Sequence, residues 1–286
     1  MTSCFYISAF AFALGLGPAG AAILFSDPFT DGDLVAGADN SGIAWYDRSV
    51  NSGISIINDS AGINSGNALR FARTGAEMNN RGIVGALNQT ITLANPGDYI
   101  TLSFSFRFIS TAGSTSPNNA NSGLTFGFYN SNGTVVSNND TVDSDNDFGF
   151  RGEFGSGANS AVAIFKETNV PGSAGGLGTG SDGGAVTVNS PVTVAVNDFT
   201  THTGSITLTY NSPTDLNIAL MYDGGAVGNG TSSVPFLTFD EIVFSQGGSN
   251  GFVLDNVEVT SNIPEPGMAS LVALLGVMGI AGCRRR

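Results

Sequence analysis

Tyr99-Ile-Thr-Leu-Ser-Phe-Ser-Phe-Arg-Phe-Ile-Ser110 is the stretch that decides the fold. Successive side chains of a β-strand point to opposite faces of the sheet, so residues two apart share a face. One face of this stretch is apolar and predicts a core, and it consists of Ile100, Leu102, Phe104, Phe106 and Phe108. The other face is polar and is expected outside the core, and it consists of Thr101, Ser103, Ser105 and Arg107.

Shorter segments of the same kind fill residues 22–263, and segments rich in Gly, Asn, Ser and Thr separate them. This composition favours strands joined by turns, and no segment has convincing helical periodicity. Strands are predicted at Ile23–Phe25, Trp45–Tyr46, Ile54–Ile57, Ala68–Arg73, Ile83–Leu87, Thr90–Leu93, Leu124–Phe128, Phe148–Phe154, Ala161–Glu167, Val192–Val196, Ser205–Tyr210, Leu216–Tyr222, Glu241–Phe244 and Phe252–Val259. Many strands without intervening helices predict an all-β, antiparallel sandwich of one domain over residues 22–263.

The chain is acidic, with a formal net charge of −13. Phosphate backbones and anionic lipids are bound by clustered Lys and Arg, so this charge argues against nucleic acid as a partner. The two cysteines are Cys4 and Cys283, which lie close to the two ends. Residues 22–263 therefore contain neither a disulfide nor a reactive thiol.

The first 21 residues are predicted to be a signal peptide. Phe5–Leu16 is an apolar stretch of suitable length, and Ala19 and Ala21 form an A-x-A cleavage site. No Lys or Arg precedes the apolar stretch, which is a departure from the usual signal. We expect signal peptidase to release a mature chain that begins at Ala22.

The last residues, 264–286, have three parts in a fixed order. Pro264-Glu265-Pro266 comes first, and the prolines favour an extended segment. Gly267–Cys283 follows without a charged residue, and as a helix its 17 residues (283 − 267 + 1) would extend about 25 Å, enough for a short transmembrane span. Arg284, Arg285 and Arg286 end the chain and are expected to stay on the cytoplasmic side.

This tail resembles the PEP-CTERM sorting signal of Gram-negative bacteria. The resemblance implies that exosortase, a membrane protease-transpeptidase, recognises the tail and processes it near Pro264-Glu265-Pro266. It also implies that the protein crosses the inner membrane, is transiently anchored there, and then reaches the cell surface or the extracellular matrix. An ordinary C-terminal membrane anchor that is never cut is the alternative.

The two ends of the predicted sandwich carry a second resemblance. The opening Phe25-Ser26-Asp27-Pro28-Phe29 with Trp45, and the closing Phe252–Val259, resemble a concanavalin A-like (laminin G-like) jelly roll. This resemblance implies that the first and last strands pair. A galactose-binding-like jelly roll, which also ends in Asp-Asn-Val, is the alternative.

Two groups of carboxylates are candidates for a structural calcium ion. Asp143, Asp145 and Asp147 alternate as hard oxygen ligands, although Phe148 and Phe154 stand where an EF-hand needs Gly and Glu. The second group lies near the ends of the domain, where the jelly-roll resemblance implies a calcium site, and consists of Asp27, Asp31, Asp33 and Asp255. The simpler interpretation of both groups is solvated acidic turns.

Catalytic signals are weak, so we expect a non-enzymatic protein. His202 is the only histidine, and the sequence places no Ser or Cys beside it for a triad. The Glu-x-Asp-x-x-Glu motif of laminarinase-like enzymes, which share the resembled fold, is absent. A divergent glycoside hydrolase or lyase is the minor alternative.

The sequence thus predicts an exported surface or matrix protein sorted by the PEP-CTERM route. The alternative is a lectin-like, carbohydrate-binding module that acts on exopolysaccharide. Trp45 and Tyr46 are the aromatic residues on which a sugar ring could stack. Packing inside the domain is the competing role for both rings.

Changing Pro264, Glu265 and Pro266 to Ala should block processing of the tail. The apolar run and the three arginines remain, so membrane insertion should survive and uncut protein should accumulate in the inner membrane. Cell fractionation, with blotting for a tag inserted within residues 171–184, measures this outcome. Equal amounts of full-length, membrane-bound protein in wild type and mutant would instead indicate a plain anchor.

Overall fold

The computed structural model describes residues 21–35, 42–48, 52–59, 63, 66–73, 82–109, 123–139, 147–155, 161–168, 184–196, 199–246 and 251–263. These residues form sixteen strands: β1 (Ala22–Asp27), β2 (Ile43–Asp47), β3 (Ser52–Asn58), β4 (Asn67–Arg73), β5 (Ile83–Thr92), β6 (Tyr99–Ile109), β7 (Leu124–Asn130), β8 (Phe148–Phe154), β9 (Ala163–Glu167), β10 (Ala185–Val186), β11 (Val188–Asn189), β12 (His202–Ser212), β13 (Asp215–Tyr222), β14 (Gly225–Ser232), β15 (Thr238–Gln246) and β16 (Gly251–Ser261). The all-β prediction is therefore confirmed for this part of the chain.

The strands form two sheets, in which β2 to β16 pair antiparallel. The larger sheet has nine strands in the order β11-β14-β13-β12-β6-β16-β4-β3, and β1 also pairs with β16. The smaller sheet has seven strands in the order β10-β9-β8-β7-β15-β5-β2. The pairing of β1 with β16 joins the first strand to the last, as the jelly-roll resemblance implied. Residues Ile23–Ser261 make up one compact unit.

Strand β6 lies in the middle of the larger sheet and alternates as its sequence predicted. Its inner face is buried from Ile100 to Phe108, whereas its outer residues are half-buried. Phe104 contacts Phe126 and Phe244 of the smaller sheet at ring-centroid distances of 4.8 and 4.9 Å, both edge to face. The apolar face of β6 thus packs directly against the opposite sheet.

The segment Val192–Val196 was wrongly predicted to be a strand. Only Thr193 forms an isolated bridge, with Ala161. The N–H of Val192 donates to the carbonyl of Val227, and its carbonyl accepts from the N–H of Val162. The N–H and the carbonyl of Val192 therefore bond to two different segments of the chain. In a regular antiparallel pairing, both groups of a residue bond to the same neighbouring strand.

Strand β14 was missed because its sequence, Gly-Ala-Val-Gly-Asn-Gly-Thr-Ser, lacks the apolar alternation of a strand. The glycines instead allow another segment to approach closely. A Cβ atom at Gly228 would lie 2.8 Å from Cγ1 of Val188, and one at Gly230 would lie 2.7 Å from the carbonyl oxygen of Thr187. Single-sequence periodicity cannot reveal such a requirement.

The segments that carry the sorting predictions lie outside the described residues. These are the signal peptide up to residue 20 and the whole tail 264–286, with its motif, apolar run and basic end. Where the chain is described, no helix is long and apolar enough to cross a membrane. Signal cleavage and sorting stay predictions of the sequence.

Candidate functional site

The outer face of the larger sheet carries small hydroxylated side chains in register. Ser105 on β6 lies opposite Thr203 on β12, and Ser103 lies opposite Ser205. In the next row, Thr101 Oγ1 and Thr207 Oγ1 are hydrogen-bonded at 2.9 Å. On both strands these residues alternate with buried ones, so their polar side chains lie on the outer face of the sheet.

A depression of about 300 Å³ is open on this face. It is lined by Ser103, Phe104, Ser105, Thr203, Gly204, Ser205, Met221, Gly224 and Asn256. None of the lining residues is charged, and they offer hydroxyl and amide groups that donate and accept hydrogen bonds. Met221 is 41% exposed and adds an apolar surface at one side.

Asn256 reaches the depression because strand β16 contains a bulge. Asp255 is paired with Ser105 and Glu258 with Ser103, so three steps along β16 match two along β6. Asn256 adopts the left-handed conformation with φ 49°, and its N–H donates to Asp255 Oδ1 at 2.7 Å. A bulge of this kind re-aims a side chain, and here the re-aimed residue lines the depression.

A group of charged residues lies beside Asp255. Arg107, also on the outer face of β6, forms a two-pronged ion pair with Asp59. Burial would raise the pKa of Asp59, but the Arg107 guanidinium and the N–H of Ile63 outweigh it and lower that pKa. For Asp255, burial, with a smaller contribution from the Asp59 charge, raises the pKa to about 6 against the opposing N–H of Asn256.

His202 has partners that its sequence context did not reveal. Its Nδ1 lies 2.8 Å from Asp223 Oδ2, and its Nε2 lies 3.1 Å from Thr200 Oγ1. The ring stacks on Tyr222 at 4.9 Å and is only 9% exposed. His202 is therefore buried and hydrogen-bonded, although the sequence places no partner beside it. The Asp-Gly dipeptide at positions 223 and 224, a typical hairpin-turn signal, could have located Asp223.

The smaller sheet carries a different polar cluster on the face away from the core. Tyr129 is fully buried there, and burial, followed by the charge of Glu167, raises its pKa well above the usual value. The guanidinium of Arg151 lies 4.6 Å from the centre of the Phe165 ring. Glu241 is also fully buried, and its Oε1 accepts from the N–H of Val136. Because these groups are buried, this cluster does not form an accessible binding surface.

The second group of predicted calcium ligands does not fit a metal ion. Asp27 is fully buried, and its two oxygens accept from the N–H of Phe29 and from Trp45 Nε1. Asp31 and Asp33 cap turns by accepting N–H groups of Asp33 and Leu34. Over the described residues, no three His, Cys, Asp or Glu side chains could hold a metal together. Asp143 and Asp145 lie outside those residues, and Asp147 is buried.

The two aromatic residues predicted for sugar stacking are not among the residues that line the depression. Trp45 is 0% exposed and packs between Phe29 and Phe244, at centroid distances of 5.7 and 6.1 Å. A stacking role needs an exposed ring face, which this position does not offer. Tyr46 is partly buried and packs against the cluster of Val84, Tyr129, Val136 and Val243.

No protein-family model and no curated protein sequence matches this chain. Several solved structures are similar to it. A protein of unknown function with a galectin-like fold from Bacillus subtilis has 13% identity and a TM-score of 0.48, covering 83% of this chain and 95% of its own. A carbohydrate esterase from Shiga toxin-encoding bacteriophage phi24B has 11% identity and a TM-score of 0.45, covering 85% of this chain and 100% of its own. The potassium-bound carbohydrate recognition domain of Emp46p has 11% identity and a TM-score of 0.42, covering 75% of this chain and 87% of its own. These similarities assign no family, ligand or activity to this chain.

Replacing Asp255 with Asn should stabilise the protein above about pH 6. The folded-state pKa of about 6 exceeds the unfolded value of 3.8, so the folded state holds the proton more tightly. Wild-type stability should therefore fall as the pH rises from about 4 to 6, because the native state loses a proton it prefers to keep. The variant should lack this fall and gain on the order of 2–3 kcal/mol above that window. Urea denaturation at several pH values measures the difference.

Asp31→Asn is the matched control, because it removes one carboxylate from an exposed turn. A difference between Asp255→Asn and wild type that is equal at pH 4 and pH 7.5 would contradict a raised pKa of the buried Asp255 carboxyl.

Proposed function

We propose that this protein is exported, sorted through its PEP-CTERM tail, and binds a polysaccharide chain in the depression on its larger sheet. The domain is proposed to be a concanavalin A-like jelly roll, supported by its two antiparallel sheets and by the pairing of β1 with β16. Signal peptidase and exosortase are the proposed processing partners, and exopolysaccharide is the proposed ligand. The function is binding at the cell surface or in the extracellular matrix.

The observation that carries this proposal is the chemistry of the depression. Sugars present hydroxyl groups that both donate and accept, and the serines, threonine and asparagine around the depression do the same. Their strands are hydrogen-bonded on both sides, so these groups are held in place before a ligand arrives. Met221 supplies the apolar contact that the C–H face of a sugar ring requires.

The charges near the depression favour a neutral glycan over a polyanion. Among the described residues, no Lys or Arg lines it, and the half-buried Glu258 follows Asn256 closely on β16. The chain as a whole carries a net charge of −13. A polymer of carboxylated or sulfated sugars would be repelled, whereas a neutral chain would not.

Delivery outside the cytoplasm supports the same ligand class. The predicted signal peptide and tail would bring the domain to the compartment where exopolysaccharide accumulates. The absence of cysteine from residues 22–263 leaves this domain independent of disulfide formation after export. A glycan-binding surface on an exported protein would retain it in that matrix.

Ser205→Trp should abolish glycan binding. Ser205 lies on the outer face of β12 and lines the depression, so an indole there would fill the space that a sugar ring needs. The purified wild-type protein should bind neutral oligosaccharides on a glycan array, and the variant should lose those signals.

Thr209→Trp is the matched control. Thr209 is half-buried on the same face of β12 but does not line the depression, so this variant should bind as the wild type does. Retained binding by Ser205→Trp, or a wild type that binds no neutral glycan, would refute the proposed site.

A further inference from the structure

We propose that Thr200, His202 and Asp223 form an acyl-transfer site, with Thr200 as the nucleophile for the ester of a small, uncharged acyl group. The three side chains meet where β12 begins and where β13 turns into β14. This activity goes beyond the proposed binding of glycans and does not depend on it.

The distances place the three groups in a relay. Nε2 of His202 lies 3.1 Å from Oγ1 of Thr200, and Nδ1 lies 2.8 Å from Oδ2 of Asp223. A nucleophile, a base and a group that orients the base, each within hydrogen-bond reach of the next, are the geometric signature of an activated hydroxyl. Sequence order does not define such a site, since the same roles recur with unrelated spacings.

The hydrogen-bond roles follow from the carboxylate. Asp223 accepts hydrogen bonds when ionised, so Nδ1 of His202 must carry the proton that it donates. In the neutral ring, Nε2 is then the acceptor, and the hydroxyl of Thr200 must donate to it. With the ring neutral, the arrangement points the proton of Thr200 at Nε2 of His202.

The other two members of the relay, His202 and Asp223, are held in position. The ring of His202 stacks on Tyr222, with Phe106 at a centroid distance of 5.7 Å. Asp223 occupies the left-handed region with φ 47°, and its Oδ1 accepts from the N–H of Thr203 at 2.9 Å. The imidazole consequently keeps its two nitrogens aimed at Asp223 and Thr200.

In this relay the base is buried and the nucleophile is exposed, as acyl transfer requires. The side chain of His202 is 10% exposed, which limits competition from water for its nitrogens. Thr200 is exposed, so a carbonyl carbon can approach its oxygen from solvent. The methyl group on the Cβ of threonine crowds that approach, which favours a small acyl group such as acetyl. The carboxylate of Asp223 disfavours an anionic acyl group.

The reaction balances with water as the second reactant. Oγ1 of Thr200 bonds to the carbonyl carbon while its proton moves to Nε2 of His202. The ester bond then breaks, and the leaving alcohol takes that proton. Water attacks the acyl-threonine in the second half, His202 again relays a proton, and the carboxylic acid leaves with the hydroxyl of Thr200 restored.

The test uses p-nitrophenyl acetate and the purified full-length protein. Thr200→Val removes the hydroxyl at nearly constant shape and should lower kcat/KM at least tenfold, whereas Thr200→Ser should retain the activity. Asp223→Asn tolerates the same turn and should lower kcat with KM unchanged, since it disturbs the imidazole and not the binding of the ester. Acid quenching followed by peptide mass mapping should find the acetyl group on Thr200.

Thr201→Val is the matched control, because Thr201 is the exposed neighbour of Thr200 and carries the same hydroxyl group. Melting temperatures of all variants verify folding. A Thr200→Val protein as active as wild type, or an acetyl group found on another residue and absent from Thr200, would overturn the proposal and leave the three residues as a clamp between loop and turn.

Discussion

The contacts of the Phe104 ring with Phe126 and Phe244 join the two sheets at the centre of the domain. Phe104 is 3% exposed, and burying a phenylalanine contributes about 1.5–3 kcal/mol, with about 0.5–1.5 kcal/mol more for each favourable aromatic pair. The domain contains no cysteine, so this packing stabilises it without disulfides. The strict alternation of β6 makes it possible, because each inward aromatic is followed by a residue that can face water.

The same alternation produces the outer face. Ser103 and Ser105 are neighbours of Phe104 in sequence, so the strand that anchors the core also supplies two walls of the depression. Their position is fixed by the core behind them, and the bulge at Asp255 adds Asn256 from the adjacent strand. Asp255 is buried near the charge of Asp59, so the bulge carries an electrostatic cost. A constraint of this kind is typical of a functional feature.

Sequence patterns predicted strands wherever side chains alternate, and they failed where the backbone alone sets the structure. Phe148–Phe154 was predicted with its observed bounds, whereas Ile83–Leu87 and Thr90–Leu93 form the single strand β5, with a register shift against β15 between them. The depression was not predicted, since its walls come from strands far apart in the chain and from a bulge that periodicity does not mark. Trp45 was predicted for a sugar site because its partner Asp27, 18 residues away, could not be inferred.

The most direct test of glycan binding in the depression is an NMR titration of isotope-labelled protein with neutral oligosaccharides from the host's own exopolysaccharide. Chemical shift changes are expected at the backbone amides of Ser103, Ser105, Ser205, Met221 and Asn256, which surround the depression. The amides of β7 and β8, in the opposite sheet, should not move. Changes confined to β7 and β8, or no change at saturating oligosaccharide, would contradict a glycan site on the larger sheet.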